Sequence, residues 1–228
     1  MYKTVSSKIK VLITAIIMVA SLIVIKKMLI DPQPVRDIKM NMVYICGSGT
    51  GYPDDNQSRY YIEFKKDGTY VLIHDDSRRK KEDYFEDGYR SYPELDIYIG
   101  KYRVKNDNYI LETTDSAYVK FKDASAVKKN IINYYCPGIF DVEKYVAEQN
   151  GRTAERAVMK TEKGEYILGY PNNKYSYDED RAYYLLFNKS DIKKLPSSVE
   201  EFRKQFKMDK KAEQERLAEE ARLTGQSQ

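Results

Sequence analysis

Few residues of this chain are suited to chemistry. Its 228 residues include one histidine, two cysteines and no tryptophan. This composition excludes most catalytic sets built on histidine, and zinc sites with two histidines or several cysteines. The single histidine, His74, ends a predicted strand beside Asp75 and Asp76, and no serine or cysteine has a recognisable nucleophile context. We therefore interpret His74 as a strand-end residue in preference to a general base, and we predict no catalytic residue and no cofactor.

Tyrosine is abundant, with 22 copies. Aliphatic residues are correspondingly scarce, so tyrosine must form much of the core. In a β-barrel, inward-facing tyrosines either fill the interior or line an amphipathic pocket in which their hydroxyl groups orient a ligand. A filled interior is usual for small barrels, and the pocket is the alternative. The candidate ligand-binding tyrosines are Tyr60, Tyr70, Tyr98, Tyr102, Tyr109, Tyr166 and Tyr183.

A basic run, Arg78, Arg79, Lys80 and Lys81, lies in a polar segment that also contains aromatic residues. Such a run is a candidate for contact with an anionic surface, either lipid head groups or a wall polymer. Acidic residues on both sides largely cancel its field, so a solvated loop is the alternative. The chain carries 39 basic and 35 acidic residues, a net charge of +4, and this mixed distribution predicts no nucleic-acid partner.

Neither of the remaining polar clusters predicts a metal or phosphate site. The acidic clusters at 54–56 and 178–180 offer oxygen ligands for a cation such as Ca²⁺, but neither has the spacing of a calcium loop. We therefore predict solvated turn residues and no metal. The glycines at 47, 49 and 51 resemble a phosphate cradle, but Pro53 blocks the helix that such a loop must open. They are interpreted as a flexible loop at a barrel mouth.

The two cysteines, Cys46 and Cys136, each stand beside a predicted turn. They are placed to pair if the domain meets an oxidising compartment. Such a disulfide would stabilise the fold by roughly 4 to 5 kcal/mol in the chain-entropy model. Two separate thiols are the alternative, and the sequence leaves both open.

Alternating apolar and polar residues place these candidates on strands. The fold class is mainly β (α+β): an antiparallel meander or barrel of about nine strands, with turns at Asp67-Gly68 and Asn106-Asp107. A short internal helix is predicted after Asp141, and a capping box predicts a C-terminal helix from Ser198. The predicted strands run over 42–46, 59–74 (a hairpin), 97–104, 109–113, 117–121, 155–161, 165–170 and 181–187.

Two segments, Ile62–Tyr70 and Gly100–Leu111, resemble the lipocalin-like domains of bacterial surface proteins and lipoproteins. Those domains repeat an aromatic residue before Asp-Gly-Thr-Tyr, then Gly-x-Tyr and a turn into an isoleucine-rich strand. The match covers about fifty residues. The resemblance implies a small up-and-down barrel and carries over no catalytic residues. The chain differs in lacking a lipobox cysteine and in its added helices.

The N-terminus carries a membrane-directed pattern. Three lysines precede an uncharged run over 11–25. Because Lys26 and Lys27 can snorkel, residues 28–30 extend the apolar length to the roughly 20 residues that a spanning helix needs. No small-residue cleavage site follows, so we predict an uncleaved transmembrane signal anchor in preference to a cleaved signal peptide or a buried helix. A short tail with three lysines is costly to translocate, which places the N-terminus in the cytoplasm and the C-terminal domain outside the cell.

The predicted organisation has five parts: a cytoplasmic tail (1–10), the anchor (11–30), a spacer (31–39), a β-rich extracytoplasmic domain (40–206) and a charged helical or frayed tail (207–228). We expect a bacterial cell-membrane protein, held through residues 11–30, that binds a small amphipathic ligand or a protein partner. We do not expect an enzyme. The alternatives are an accessory subunit of a membrane complex and a hydrolase that does not use histidine.

Overall fold

The fold is taken from a computed structural model. The structure describes residues 7–29, 31–47, 49–79, 93–138, 145, 148–151, 155–172 and 183–225. The chain divides into two compact units, Met1–Gln33 and Pro34–Gln228. Each unit is described by itself below.

The first unit contains one helix, α1, over Ser7–Leu29. Its large apolar side chains are exposed, from 48% at Ile13 to 65% at Leu22. Within the described part of the chain, no helix combines the length and the apolar character needed to cross a membrane. The transmembrane helix predicted over 11–30 is therefore not supported by the described residues.

The second unit is built mainly from short antiparallel strands. Among the described residues, its named helices are α2 (Ala124–Lys128), α3 (Val199–Arg203) and α4 (Lys210–Gly225). Its strands are β1 (Val43–Cys46), β2 (Arg59–Phe64), β3 (Thr69–Asp75), β4 (Glu94–Lys105), β5 (Asn108–Lys120), β6 (Ile131–Ile132), β7 (Tyr134–Pro137), β8 (Ala157–Lys160), β9 (Tyr166–Gly169), β10 (Tyr183–Leu185) and β11 (Lys207–Met208).

Eight strands form a nearly closed up-and-down barrel in the order β1-β2-β3-β4-β5-β8-β9-β10. The chain after β10 returns to β1, where Ile45 and Phe187 exchange backbone N–H···O hydrogen bonds of 3.2 and 2.8 Å. This contact protects the edges that an open sheet would expose. β7 pairs with β5 and brings the sheet to nine strands. The predicted mainly β meander or barrel is confirmed.

Two predicted turns set the register of the barrel and are confirmed. Gly68 has a φ of 82°, in the left-handed region that favours glycine, and its N–H donates to the carbonyl of Lys65 at 3.2 Å. Asn106 and Asp107 have φ values of 51° and 62°. Two consecutive positive φ values are what a two-residue type I′ hairpin turn requires.

β5 is one continuous strand of 13 residues, although the sequence predicts two strands with a break between them. A β-bulge beside Ile99 and Gly100 bends β4 against β5 in this region. Gly100 is needed at the bend because a Cβ there would lie 1.9 Å from the carbonyl oxygen of Glu112. The polar residues 112–115, which resemble a break in the sequence, are exposed positions along the bent strand.

The tyrosine-rich face of the strands points into the barrel. The rings of Phe64 in β2 and Tyr109 in β5 have centroids 4.8 Å apart, although β3 and β4 lie between these strands in the sheet. Side chains three strands apart meet in this way only across the interior. The buried members of this inner cluster are Val35, Ile38, Tyr44, Cys46, Ile62, Phe64, Tyr70, Leu72, Leu111, Val158, Tyr166, Leu168 and Leu186.

The opposite face of the strands is also buried and forms an outer cluster, partly beneath the C-terminal segment. Ser198 caps α3 by accepting a hydrogen bond from the Glu201 N–H at 3.1 Å, as the predicted capping box requires. Phe202 is 1% exposed. The outer cluster comprises Val43, Ile45, Tyr61, Val71, Ile73, Ile97, Ile110, Ala117, Val119, Phe121, Ile132, Ala157, Met159, Ile167, Leu185, Phe187, Leu195, Val199, Phe202 and Phe206.

Residues 34–39, predicted as a spacer, are packed within the second unit. The Val35 N–H donates to Leu186 and the Val35 carbonyl accepts from Tyr166, both at 2.8 Å. The hydroxyl of Tyr44 accepts from the Lys39 N–H at 2.5 Å. Together with the burial of Val35 in the inner cluster, these bonds show that the segment covers one end of the barrel.

The remaining elements include several that the sequence did not predict: α2, β6, β7 and β11. In α4, Ala212 is buried, and the Arg216 guanidinium lies 4.1 Å from the centroid of the Tyr134 ring. The first half of this charged helix therefore packs against β7. The internal helix predicted after Asp141 lies mostly outside the described residues.

Candidate functional site

Six of the seven predicted tyrosines belong to the inner cluster or pack against it. Tyr183 is the exception, because it packs against the outer cluster. Its neighbour Tyr184 faces inward instead. Side chains alternate between the two faces of a strand, so an error of one residue selects the wrong face. On β10 the inward-facing tyrosine is therefore Tyr184, and ligand binding by the seven predicted tyrosines stays a prediction.

At one end of the barrel the tyrosines form a packed group of rings. Tyr109 lies 5.7 Å from Tyr102 and 6.0 Å from Tyr166, measured between centroids. The hydroxyl of Tyr102 donates to the carbonyl of Lys65 at 3.0 Å. Burial, with the nearby tyrosines, raises the pKa of Tyr109 to about 12. Rings fill this end, which is the filled-core arrangement weighed in the sequence.

Two further tyrosines have defined polar partners. Tyr70 is 1% exposed, and its hydroxyl lies 2.7 Å from Oγ1 of Thr113. The Arg156 guanidinium lies 5.1 Å from the Tyr98 ring centroid and 5.2 Å from that of Tyr170. It also donates to the Tyr170 hydroxyl at 2.9 Å. Cation–π contacts of this kind orient the guanidinium and both rings.

A pocket opens at the other end of the barrel. Its volume is about 420 Å³, within the range of sites that hold small molecules. We call it the mouth pocket. Its lining residues are Asn56, Gln57, Ser58, Tyr60, His74, Asp76, Arg79 and Tyr184. Of the seven predicted tyrosines, only Tyr60 is among them.

Aromatic rings form one wall of the mouth pocket. Tyr60 stacks on the imidazole of His74, with centroids 4.5 Å apart and planes 20° apart. Tyr184 lies 4.8 Å from Tyr60 on the other side. Burial raises the pKa of Tyr60, and the neighbouring Tyr184 adds to the effect. The Tyr60 phenol is therefore uncharged at neutral pH, and the wall is flat and largely apolar.

Arg59 stabilises the loop over residues 54–58, which forms part of the rim of the mouth pocket. This arginine is 3% exposed, and its guanidinium donates to the carbonyls of Gln57, at 3.2 Å, and Asp54. The Gln57 side chain accepts from the Asp54 N–H at 3.0 Å. These bonds fix the backbone immediately before Ser58.

Ser58, His74 and Asp96 form a hydrogen-bonded chain in the mouth pocket. The Ser58 hydroxyl lies 2.8 Å from Nε2 of His74, and Nδ1 of His74 lies 3.1 Å from Oδ2 of Asp96. The register of β2, β3 and β4 brings them together, because Tyr60 pairs with His74 and His74 pairs with Asp96. The interpretation of His74 as a strand-end residue without a nucleophile beside it did not anticipate this arrangement.

Acidic side chains concentrate around the same histidine. Burial raises the pKa of Asp76, although Arg79, 3.4 Å away, and His74 oppose the shift. Burial also raises the pKa of Glu94, and the negative charge of Asp96 adds to the effect. The positive charge that offsets these carboxyl groups comes from Arg79, which pairs with Asp76, and from Lys120, 3.6 Å from Glu94.

The cations of the basic run that the structure describes are ion-paired. Arg78 lies 2.9 Å from carboxylate oxygens of both Asp75 and Asp191, and Arg79 pairs with Asp76. Lys80 and Lys81 lie outside the described residues. The run is therefore partly neutralised by its own neighbours, and its contact with an anionic surface stays a prediction.

The cysteines are free thiols in this structure. Cys46 is fully buried in the inner cluster, and burial raises its pKa. Cys136 is half-buried in β7, so the two thiols have different surroundings. Of the two alternatives that the sequence left open, the structure has separate thiols. Among the described residues, no group of three or more acidic, histidine or cysteine side chains is arranged to hold a metal ion. The acidic cluster at 178–180 lies outside them.

The sequence contained one usable signal for the mouth pocket. A hairpin centred on Asp67-Gly68 places His74 directly opposite Tyr60, so the stacked pair follows from the turn. Ser58 and Asp96 are 16 and 22 residues from His74. No motif predicts Asp96, because a long polar segment separates it from the first hairpin.

No family model, curated protein or solved structure matches this chain.

Proposed function

We propose that the barrel is a binding module and that the mouth pocket takes a small ligand with a planar, apolar part and a hydrogen-bonding polar group. The observation that carries the proposal is the shape and lining of this pocket. Tyr60, His74 and Tyr184 offer flat faces to the apolar part, and Asn56, Gln57 and Arg79 carry N–H donors for the polar group. The resemblance to lipocalin-like domains favours the same reading, since small barrels of this type bind ligands at one open end.

The binding role is tested with an aromatic sulfonate dye, 8-anilinonaphthalene-1-sulfonate, which combines both features. We expect saturable binding to the full chain and at least a tenfold weaker affinity in Tyr184→Ala. Tyr183→Ala is the matched control, because Tyr183 precedes Tyr184 on β10 and packs on the opposite face. Equal affinity of the three proteins would contradict the proposal. Native mass spectrometry of the purified chain would identify small molecules that remain bound.

We also propose that residues 11–30 hold the chain at a bacterial cell membrane, with the N-terminus in the cytoplasm and the domain outside. The support is the exposed apolar surface of α1 and the three lysines at positions 3, 8 and 10 that precede its apolar run. The full chain should stay in the membrane fraction after an alkaline carbonate wash, and the unit Pro34–Gln228 should be released. An impermeant amine reagent should label Lys66 in whole cells, and labelling only after lysis would overturn the orientation.

The sequence left open a second role for an anchored domain: contact with a protein subunit of a membrane complex. Crosslinking in intact membranes distinguishes this accessory-subunit role from ligand binding. A single abundant partner captured by the full chain, together with no dye binding in the mouth pocket, would favour the accessory-subunit role.

A further inference from the structure

We propose that Ser58, His74 and Asp96 act as a nucleophilic triad and that Ser58 attacks small carboxylic esters in the mouth pocket. The hydroxyl lies 2.8 Å from Nε2 of the imidazole, and the carboxylate lies 3.1 Å from Nδ1. The order of hydroxyl, imidazole and carboxylate is the one that activates serine in hydrolases on unrelated folds. This inference goes beyond the binding role and is tested separately from it.

Strand pairing, ring stacking and hydrogen bonds of the neighbouring loop each position one or more of the three side chains. His74 and Asp96 are directly paired residues on β3 and β4. Stacking on Tyr60 fixes the plane of the imidazole. Ser58 follows the loop that Arg59 holds, so its hydroxyl is placed by a buried guanidinium. Rigid placement of this kind is what lets a base and a nucleophile act together.

The mouth pocket supplies space for a substrate beside the hydroxyl. A volume of about 420 Å³ accommodates a small ester but excludes a folded polypeptide. Asn56, Gln57 and Arg79 line the same pocket, and each carries N–H donors of the kind that stabilise a developing oxyanion. Substrates with an aromatic or short acyl group would pack on the wall formed by Tyr60 and Tyr184.

The reaction follows from the hydrogen-bonded order. Ser58 Oγ forms a bond to the ester carbonyl carbon while its proton passes to Nε2 of His74, and Asp96 stabilises the resulting imidazolium. The bond from carbon to the leaving oxygen then breaks, and His74 returns the proton to the departing alcohol. Water, deprotonated by the same imidazole, hydrolyses the acyl–Ser58 ester, which releases the carboxylic acid and restores the hydroxyl.

Asp76 is a second hydrogen-bond partner of Ser58 and competes with His74 for the hydroxyl proton. The Arg79 guanidinium lies 3.4 Å from the Asp76 carboxylate. Nε2 of His74 lies 2.8 Å from the hydroxyl, and the other ring nitrogen is held by Asp96. The proton of Ser58 therefore passes to His74 when the hydroxyl attacks.

The first test is covalent labelling of the folded full chain with a fluorophosphonate probe, followed by peptide mass spectrometry. We expect the probe on Ser58 and hydrolysis of p-nitrophenyl acetate. Ser58→Ala should abolish both, and His74→Gln should slow both by about 100-fold or more. Ser125→Ala is the matched control, because Ser125 is an exposed serine in α2, and it should react like the unaltered chain. Circular dichroism checks that each variant is folded.

Asp96 is a positioning residue, and its test must separate that role from folding. Asp96→Asn should lower kcat for p-nitrophenyl acetate by about 100-fold while KM changes by less than about twofold, because it orients the base without touching substrate. Ser58→Cys adds an independent readout: its thiol, beside His74, should react with iodoacetamide faster than Cys136 does. An unlabelled Ser58 in a folded chain, or undiminished labelling in His74→Gln, would overturn the triad. Retained dye binding in that case would leave the binding module standing.

Discussion

The chemistry proposed for this chain depends on how its one histidine is surrounded. His74 faces a hydroxyl on one side and a carboxylate on the other, a tyrosine ring lies against its plane, and further carboxyl groups stand nearby. A composition with one histidine rules out catalytic sets that need several histidines, but it does not rule out a catalytic set that needs only one. Our expectation of no catalytic residue rested on the absence of a local motif. The partners of His74 come from other strands, where local sequence carries no signal.

The half-buried carboxyl groups near His74 should make stability depend on pH. Burial raises the pKa of Glu94 above its ordinary value, so between the unfolded and folded pKa values the native state holds more protons. The free energy of unfolding therefore falls as pH rises from about 4 through the folded pKa of Glu94. Glu94→Gln removes this loss, and the variant should gain stability relative to the unaltered chain as pH rises through that window.

Urea denaturation at several pH values measures this difference. Glu112→Gln is the matched control, because Glu112 is exposed on the neighbouring β5, and its effect should not change with pH in the same way. Glu94→Gln also removes the ion pair between Glu94 and Lys120, whose Nζ lies 3.6 Å from the carboxylate. This loss opposes the gain in unfolding free energy, but partly exposed ion pairs are weak. A constant difference between Glu94→Gln and the unaltered chain from pH 4 to pH 7 would contradict the argument.

At the scale of elements, the bend in β4 and β5 depends on one residue without a side chain. Gly100→Ala places a Cβ 1.9 Å from the backbone oxygen of Glu112, and backbone cannot move aside as a flexible side chain can. We expect a loss of about 2 to 3 kcal/mol of unfolding free energy, in the upper range for overpacking. Gly51→Ala is the control, because nothing lies within 4 Å of a Cβ there. Equal stability of the two variants in urea would show that the bend does not need glycine.

The same bend shows where prediction of elements from sequence ends. Hairpins with tight turns were predictable because Asp67-Gly68 and Asn106-Asp107 favour one local geometry each. β5 was not predictable as one strand, because its exposed polar stretch resembles a loop in the sequence. Only the bulge and the pairing with β4 show that this stretch continues the strand. β6, β7 and β11 are only two to four residues long, and their pairing is decided by tertiary contacts.

The candidate site was predictable only in its chemical type. The abundance of tyrosine predicted aromatic walls, and Tyr60 does line the mouth pocket. The division of the interior into a filled end and an open end could not be foreseen, because it depends on which residues cover each end. Segment 34–39 covers the filled end, although the prolines and charges of 31–39 predicted a spacer.

For the whole molecule, every described residue of the inner and outer clusters lies at or after Val35. The two clusters occupy opposite faces of the same sheet, and each of the eight barrel strands has side chains in or against both clusters. Loss of packing on one face therefore weakens the support of the other, and the barrel should unfold as one cooperative unit. A boundary between Gln33 and Pro34 separates this unit from α1 without removing a cluster residue.

Two truncations test where the folding unit begins. The chain Pro34–Gln228 should unfold in urea in one transition, with a free energy within about 0.5 kcal/mol of the full chain, since no buried cluster residue is lost. A chain starting at Val43 loses the buried side chains of Val35 and Ile38, each of which contributes about 1.5 to 3 kcal/mol when fully buried. It also loses the backbone bonds from Val35 to Leu186 and Tyr166. The net stability of a domain is only about 5 to 15 kcal/mol, so this shorter chain should be severely destabilised. Equal urea midpoints of unfolding for the two truncated chains would show that residues 34–42 are a spacer after all.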